Sequence, residues 1–225
     1  MCVRRGLTAW TSEGEGGKRY DRFRDRIMFP ILDQRGNVIG FGGRVIGQGE
    51  PKYLNSPETP LFEKGRELYG LLQARSAIRD EDCVIVVEGY MDVVALAQHG
   101  IGNAVATLGT ATTPTHVHKL LRQADRVIFC FDGDNAGRKA AARALDASLE
   151  QVADNKTVAF LFLPPEADPD SYVRAHGAGA FRKLGRQAMP LTDFLMQELR
   201  AGKDLATAEG RSQLVHAAKP LLGRL

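Results

Sequence analysis

From residue 83 onward, short unbroken apolar runs alternate with amphipathic stretches. CVIVVEG (83–89) is a continuous β-branched run, as expected of a strand covered on both faces. YMDVVALAQHG (90–100) then reads as a helix stopped by Gly100. NAVATLG (103–109) is a second strand, and Thr113-Pro114 supplies an N-cap and a first-turn proline for the helix THVHKLLRQA. RVIFCFDGD (126–134) is a third strand, followed by the Ala-rich helix GRKAAARALDASLEQVA. TVAFLFLPP (157–165) is a fourth, and SYVRAHG (171–177) begins another helix. Strand and helix alternating in this way predict a parallel sheet flanked by helices. Beyond about residue 180 the pattern is helical only, broken at Pro190 and Gly202.

The front of the chain has a different texture. The first 17 residues are Gly-rich and aperiodic and read as an exposed loop or a ragged end. RIMFPILD (26–33) and VIGFGGRVIG (38–47) flank a turn at 34–37, which predicts a hairpin. PKYLNSPETPLF (51–62) has three prolines and no period, so an irregular segment is expected. RELYGLLQARSAI (66–78) places Leu68, Leu71, Leu72 and Ile78 on one helical face. The expected class is therefore α/β, α+β overall. A mixed N-terminal subdomain over 1–80, cut short at its front, precedes a parallel-sheet domain over 81–178 and a helical segment over 179–225.

Composition sharpens this picture. The 225 residues carry 30 Lys+Arg and 27 Asp+Glu, a formal net charge of +3. That small number hides a division: residues 1–79 hold 14 Lys+Arg against 9 Asp+Glu, while the acidic excess lies behind them. A front half facing a polyanion is the expectation. No apolar run approaches the ~20 residues of a membrane helix, and no apolar leader is visible. Cys2, Cys83 and Cys130 form no CxxC pair, so neither a disulfide frame nor a zinc ribbon is expected.

Carboxylates recur where strands end. Glu88 closes the first strand, Asp132 and Asp134 the third as Asp-Gly-Asp, and Asp168 and Asp170 follow the fourth as Asp-Pro-Asp. In an open parallel sheet the ligand crevice lies outside the carboxyl ends, so these acids should converge on one edge. Taken singly, such an acid is an ordinary helix cap, and Asp92 an ordinary first-turn charge. Together they form a self-repelling cluster that all-oxygen ligation of Mg²⁺ or Mn²⁺ would relieve. The histidines are not arranged for nucleophilic catalysis, and His116-x-His118 reads as plain helix surface.

VVEGYMDVVAL, FDGDNAGRKAA and DPDSYV closely resemble the three signatures of the Toprim domain, in the version found in bacterial replicative DNA primases of the DnaG type. YDRFRDRIMFPI, GFGGRV, PKYLNSPET and KGRELYGL extend the resemblance over roughly residues 18–200. It implies a divalent-metal centre at Glu88, Asp92, Asp132, Asp134, Asp168 and Asp170, with Glu88, Asp132 and Asp134 at the chemistry. It also implies template and nucleotide contacts at Arg44, Lys52, Tyr53, Asn55 and Lys64, and at Arg22 and Arg24.

The implied activity is template-directed synthesis of RNA primers on single-stranded DNA from ribonucleoside triphosphates, by a monomeric cytoplasmic enzyme with no membrane partner. The family's zinc-binding domain and the domain that docks on the replicative helicase are expected to lie outside these residues, which makes the chain a core of something longer. Two rivals stand beside this reading. One is another Toprim enzyme, a topoisomerase or nuclease; the other is a metal-independent single-strand-binding module whose acids are only caps.

Overall fold

The computed structural model describes residues 8–10 and 19–224. Two short strands, β1 (Thr8–Trp10) and β2 (Arg19–Asp21), pair antiparallel. Part of the segment expected to be a loop is thus a strand, and the rest of that expectation lies outside the described residues. The hairpin forms as expected, from β3 (Arg26–Leu32) and β4 (Val38–Val45) around a turn in which Gly36 has φ 88°. The Pro-rich segment is not wholly irregular, since β5 (Tyr53–Asn55) adds a third strand to β4.

The chain then crosses to the second sheet. Helix α1 (Leu71–Glu81) starts one turn later than its apolar face suggests, because Gly70 turns through φ 82°. Strands β6 (Cys83–Val87), β7 (Ala104–Ala106), β8 (Arg126–Phe131) and β9 (Thr157–Phe162) are parallel. Between them run α2 (Tyr90–Gln98), α3 (Pro114–Leu121) and α4 (Asn135–Ser148). Beyond β9 lies α5 (Pro169–Arg186), one element broken at Gly177, where φ is 79°. The region expected to be purely helical contains β10 (Met189–Pro190), a two-residue antiparallel edge on β9, before α6 (Leu191–Arg200) and α7 (Ala208–Leu222). Pro190 suits that outer position, where its missing N–H costs no ladder bond. No described helix is long and apolar enough to cross a membrane.

The strand order is β10-β9-β8-β6-β7. Alternate residues divide between two cores, as a period of two requires. Val84, Val86, Phe129, Phe131 and Phe160 enter one core with α1, α3, α4 and α6. Ile85, Val87, Ile128, Cys130 and Leu161 enter the other with Leu96 of α2 and Phe181 of α5. The chain therefore leaves β6 toward one face and β8 toward the other, although these strands are neighbours. That is the topological switch point, where a crevice opens at the carboxyl edge.

A third, smaller core joins the two sheets: Phe29, Ile31 and Phe62 pack with Tyr90 and Leu108. Tyr90 stacks on Phe29 at 5.3 Å and meets Tyr69 edge-on at 4.8 Å. Its ring lies over Gly42, where an added Cβ would stand 2.6 Å from the ring carbons. The glycine run at 40–43 thus clears a seat for aromatic rings, since Gly43 likewise faces Phe23 and Gly40 faces Phe62. Replacing Gly42 by Ala forces the ring or the strand to move, an overpacking cost of about 1–3 kcal/mol. Calorimetry should show Tm falling by roughly 2–4 °C per kcal/mol; an unchanged Tm would remove the seat.

Candidate active site

A cleft of about 360 Å³ opens at the switch point, with β4 and β5 forming one wall and the parallel sheet edge the other. The antiparallel register decides what the first wall shows. Arg44 sits opposite Tyr53 and Gly42 opposite Asn55, and positions two apart share a face. Arg44, Tyr53 and Asn55 therefore point the same way, toward the cleft, with the Arg44 guanidinium 5.8 Å from the Tyr53 ring centre. Lys52 completes that wall.

The facing wall carries the acids. Glu88, Asp92, Asp132, Asp168 and Asp170 all line the same cleft. Burial, then the charges of Asp132 and Asp134, push the Glu88 carboxyl above its ordinary pKa. Burial, then Asp168 and Asp134, do the same to Asp132. Asp92 is pushed up to about 7, by burial first and then by Asp168 and Asp132, against the pull of the Gly89 N–H. Asp168 behaves differently: burial pushes it up, but hydrogen bonding with Ser171 and the charge of Lys52 bring it below the ordinary value. The lysine that influences Asp168 stands on the opposite wall.

Several of these acids also cap helices. Asp134 accepts the Gly137 N–H at 2.7 Å to start α4, and Asp168 accepts the Ser171 N–H at 2.7 Å to start α5. Asp92 accepts the Gly89 N–H at 3.1 Å, and Asp170 pairs with Arg174. Glu88 caps nothing, because Gly89 occupies that position. Capping fixes a carboxylate by one oxygen and leaves the other free for a ligand.

The expected residues divide accordingly. Asp134 is exposed and outside the lining of the cleft, although its charge reaches Glu88 and Asp132. Arg22, Arg24 and Lys64 are also absent from that lining. Arg22 instead donates to the Asn55 carbonyl at 3.3 Å. The Asn55 side chain is held by the protein on both ends, donating to the Leu108 carbonyl at 2.7 Å and accepting from the Tyr90 hydroxyl.

Lys64 is placed by α3 through a histidine misread as surface. His116 is fully buried, and its Nδ1 accepts the Thr113 N–H at 3.3 Å. Its Nε2 therefore carries the proton, shared between the carbonyls of Lys64 at 3.0 Å and Glu67 at 3.1 Å. Helical spacing alone could not reveal this, because the covering segment comes from 63–67. Tyr90, Thr107 and Gly109 also line the cleft and were not anticipated. Thr107 and Gly109 end the one parallel strand without an acid, where the carboxyl-edge rule already pointed.

Among the described residues, no three His, Cys, Asp or Glu side chains are gathered into a ready-made metal site. The donor set nevertheless suits a hard cation. The donors are all oxygen, burial and then their mutual repulsion raise the pKa values of Glu88, Asp92 and Asp132, and Mg²⁺ takes only one or two carboxylates and completes its shell with water and phosphate.

Comparison with known proteins gives three family matches. Residues 4–75 match the DNA primase catalytic core N-terminal domain, 82–160 the Toprim domain, and 192–225 the DnaB-helicase binding domain of primase. The last match corrects the expectation that the helicase-docking part lies wholly outside this chain. The DNA primase of Pseudomonas aeruginosa is 60% identical over 210 residues, covering 93% of this chain and 32% of the relative. That of Escherichia coli K12 is 54% identical over 209 residues, covering 93% and 36%. The chain thus spans about a third of the length of these relatives. A crystal structure of a DNA primase domain from Pseudomonas aeruginosa superposes with TM-score 0.94 at 57% identity, covering all of this chain and 70% of that one. A DnaG primase catalytic domain bound to single-stranded DNA gives 0.92 at 50% identity, covering all of this chain and 71% of that one.

The Asp92 carboxyl yields a pH test. Its folded pKa, about 7, exceeds the ordinary 3.8, so the folded state holds the proton more tightly. Below about pH 4 the group is neutral folded or unfolded and costs nothing. Between 3.8 and 7 the cost of ionising it in the fold grows, and above 7 it is complete. Asp92→Asn keeps an oxygen for the Gly89 N–H and removes that cost. With chelator present its Tm should exceed the wild type's at pH 8 and match it at pH 4, with Mg²⁺ narrowing the gap at pH 8. A gap independent of pH would contradict the assignment.

Proposed function

This chain belongs to the DnaG-type family of bacterial DNA primases, and from that premise we propose that it is the RNA-synthesising core of such an enzyme. It joins ribonucleoside triphosphates into short primers on a single-stranded DNA template. The observation that carries this reading is the opposition, across one cleft, of Arg44, Lys52 and Tyr53 to the acid edge of Glu88, Asp92 and Asp132. A nucleoside triphosphate with its divalent cation has the complementary pattern: phosphate charge, a base to stack, and a metal to ligate.

Glu88, Asp92, Asp132 and Asp168 would hold Mg²⁺ or Mn²⁺, with Asp134 and Asp170 adding to the field. When bound, the ion neutralises the leaving pyrophosphate and makes the attacking hydroxyl more acidic. The protein's own groups do the rest. Lys52 and Arg44 bind the triphosphate, and Tyr53, braced by Arg44, offers an exposed ring to a base. Asn55 and Tyr90 act as positioning residues that keep the two walls in register. Glu88 serves as metal ligand or as proton acceptor, and either role requires an ionisable carboxylate.

Arg22, Arg24 and Lys64, outside the cleft, are assigned to the template strand. The division 1–80, 81–178 and 179–225 separates the template-and-nucleotide wall, the metal wall and the helices. Helicase docking falls to the last of these, where residues 192–225 match the helicase-binding family.

Asp132→Ala and Glu88→Gln should each abolish incorporation of labelled ribonucleotides on a single-stranded template, while circular dichroism and single-strand binding stay at wild-type values. Retained synthesis in either variant removes the metal-centre assignment. Nicking or relaxation of plasmid DNA with Mg²⁺, in place of primer synthesis, would transfer the cleft to another reaction.

A further inference from the structure

We propose that the crevice contains a second nucleotide subsite, on the side of Glu88 away from Arg44 and Lys52, that takes the ribonucleotide whose 3′-hydroxyl attacks. This rests on the reading of the main cleft as the place of the incoming triphosphate. A separate cleft of about 270 Å³ opens between the loop at 109–112 and helix α4. It meets the main cleft at Glu88, Thr107 and Gly109, which line both. The carboxylate that closes β6 therefore stands between two chambers, one on each side of the switch point.

The second chamber has the composition a nucleotide needs. Phe129, Phe131 and Ala140 give it an apolar floor, and Thr110 and Thr112 bring hydroxyls to its rim. Arg143 of α4 lines it. Among the described residues Arg143 makes no hydrogen bond, ion pair or ring contact, whereas Arg138 and Asp146 on the same helix are engaged. Arg138 lies over Phe162 at 4.4 Å. Asp146, one helical turn beyond Arg143, is held by Arg224 at 2.6 Å. The acid best placed to pair with Arg143 along the helix is thus taken, and the guanidinium is left for an anion.

Joining two nucleotides requires two sites meeting at the acids. The 3′-oxygen of one forms a bond to the α-phosphorus of the other, the α–β phosphoanhydride bond breaks, pyrophosphate leaves, and the hydroxyl proton passes to Glu88 or solvent. With the cations of the main cleft serving the triphosphate that is cleaved, the chamber across Glu88 takes the other partner, and Arg143 receives that partner's 5′-phosphate.

The test is dinucleotide synthesis on a template, with the first position supplied as a ribonucleoside, its 5′-monophosphate or its 5′-triphosphate. Arg143→Ala should raise the KM of a phosphorylated first nucleotide about tenfold, the worth of one charge-assisted contact. The unphosphorylated nucleoside and the incoming triphosphate should be unaffected, and Arg143→Lys should recover most of the loss. No change in Arg143→Ala, or an equal rise for the incoming triphosphate, overturns the subsite. If wild type joins no nucleotides, the functional reading fails instead. The subsite is then judged by equilibrium dialysis of labelled ribonucleoside 5′-monophosphate in EDTA. Binding lost in Arg143→Ala and kept in Lys52→Ala carries it; any other pattern overturns it.

Discussion

The ring of Tyr90 over Gly42 is the contact on which the cleft depends. Tyr90 is the first residue of α2, two positions after the acid that ends β6, so its placement is inherited from the parallel sheet. Gly42 belongs to the other sheet, and the missing side chain lets the ring settle between Phe29 and Tyr69. The Tyr90 hydroxyl then donates to Asn55, whose amide donates onward to the Leu108 carbonyl. An aromatic contact sets the distance between the walls and two hydrogen bonds set their register. Arg44 and Tyr53, on the same strand pair, are aimed at the acids as a consequence.

The acid edge solves a physical difficulty by giving its carboxylates a second task. Like charges gathered in a partly buried crevice oppose folding, as the raised pKa values of Glu88, Asp92 and Asp132 express. Capping offsets part of this for Asp134 and Asp168, whose oxygens receive backbone N–H groups at the starts of α4 and α5. The positive end of α5, capped by Asp168 in the lining, therefore faces the crevice, and the remaining imbalance is what a cation would relieve. Glu88, with no cap to make, is the carboxylate least committed to the fold and the one shared by both chambers.

Much of the fold was legible along the chain, because β-branched runs of five or six residues and Ala-rich helices leave little ambiguity when they alternate. Three of the misreadings share one cause. β5 and β10 are short strands whose formation depends on a neighbour: Tyr53–Asn55 pairs because β4 offers an edge, and Met189–Pro190 because β9 does. His116 looked like helix surface for the same reason, since the segment that buries it lies about fifty residues away in the chain. The glycines of GFGGRV enter the sequence reading only through the hairpin and the family resemblance, while their use as a seat for rings needs partners that periodicity cannot see.

Order and type of the main elements, the acids at strand ends and the basic front half were determined by the sequence by itself, because each follows from local pattern or from covalent order. That Glu88, Asp92 and Asp132 would share a crevice followed from one general rule about parallel sheets. Which cations meet them did not. Arg44, Lys52 and Tyr53 face the acids, whereas Arg22 and Lys64 have other neighbours, and Asn55 is engaged in holding the walls together. Only the tertiary structure decided this, because side-chain direction in a three-stranded sheet depends on register, and the docking of one sheet on another depends on a ring that fits where a glycine stands.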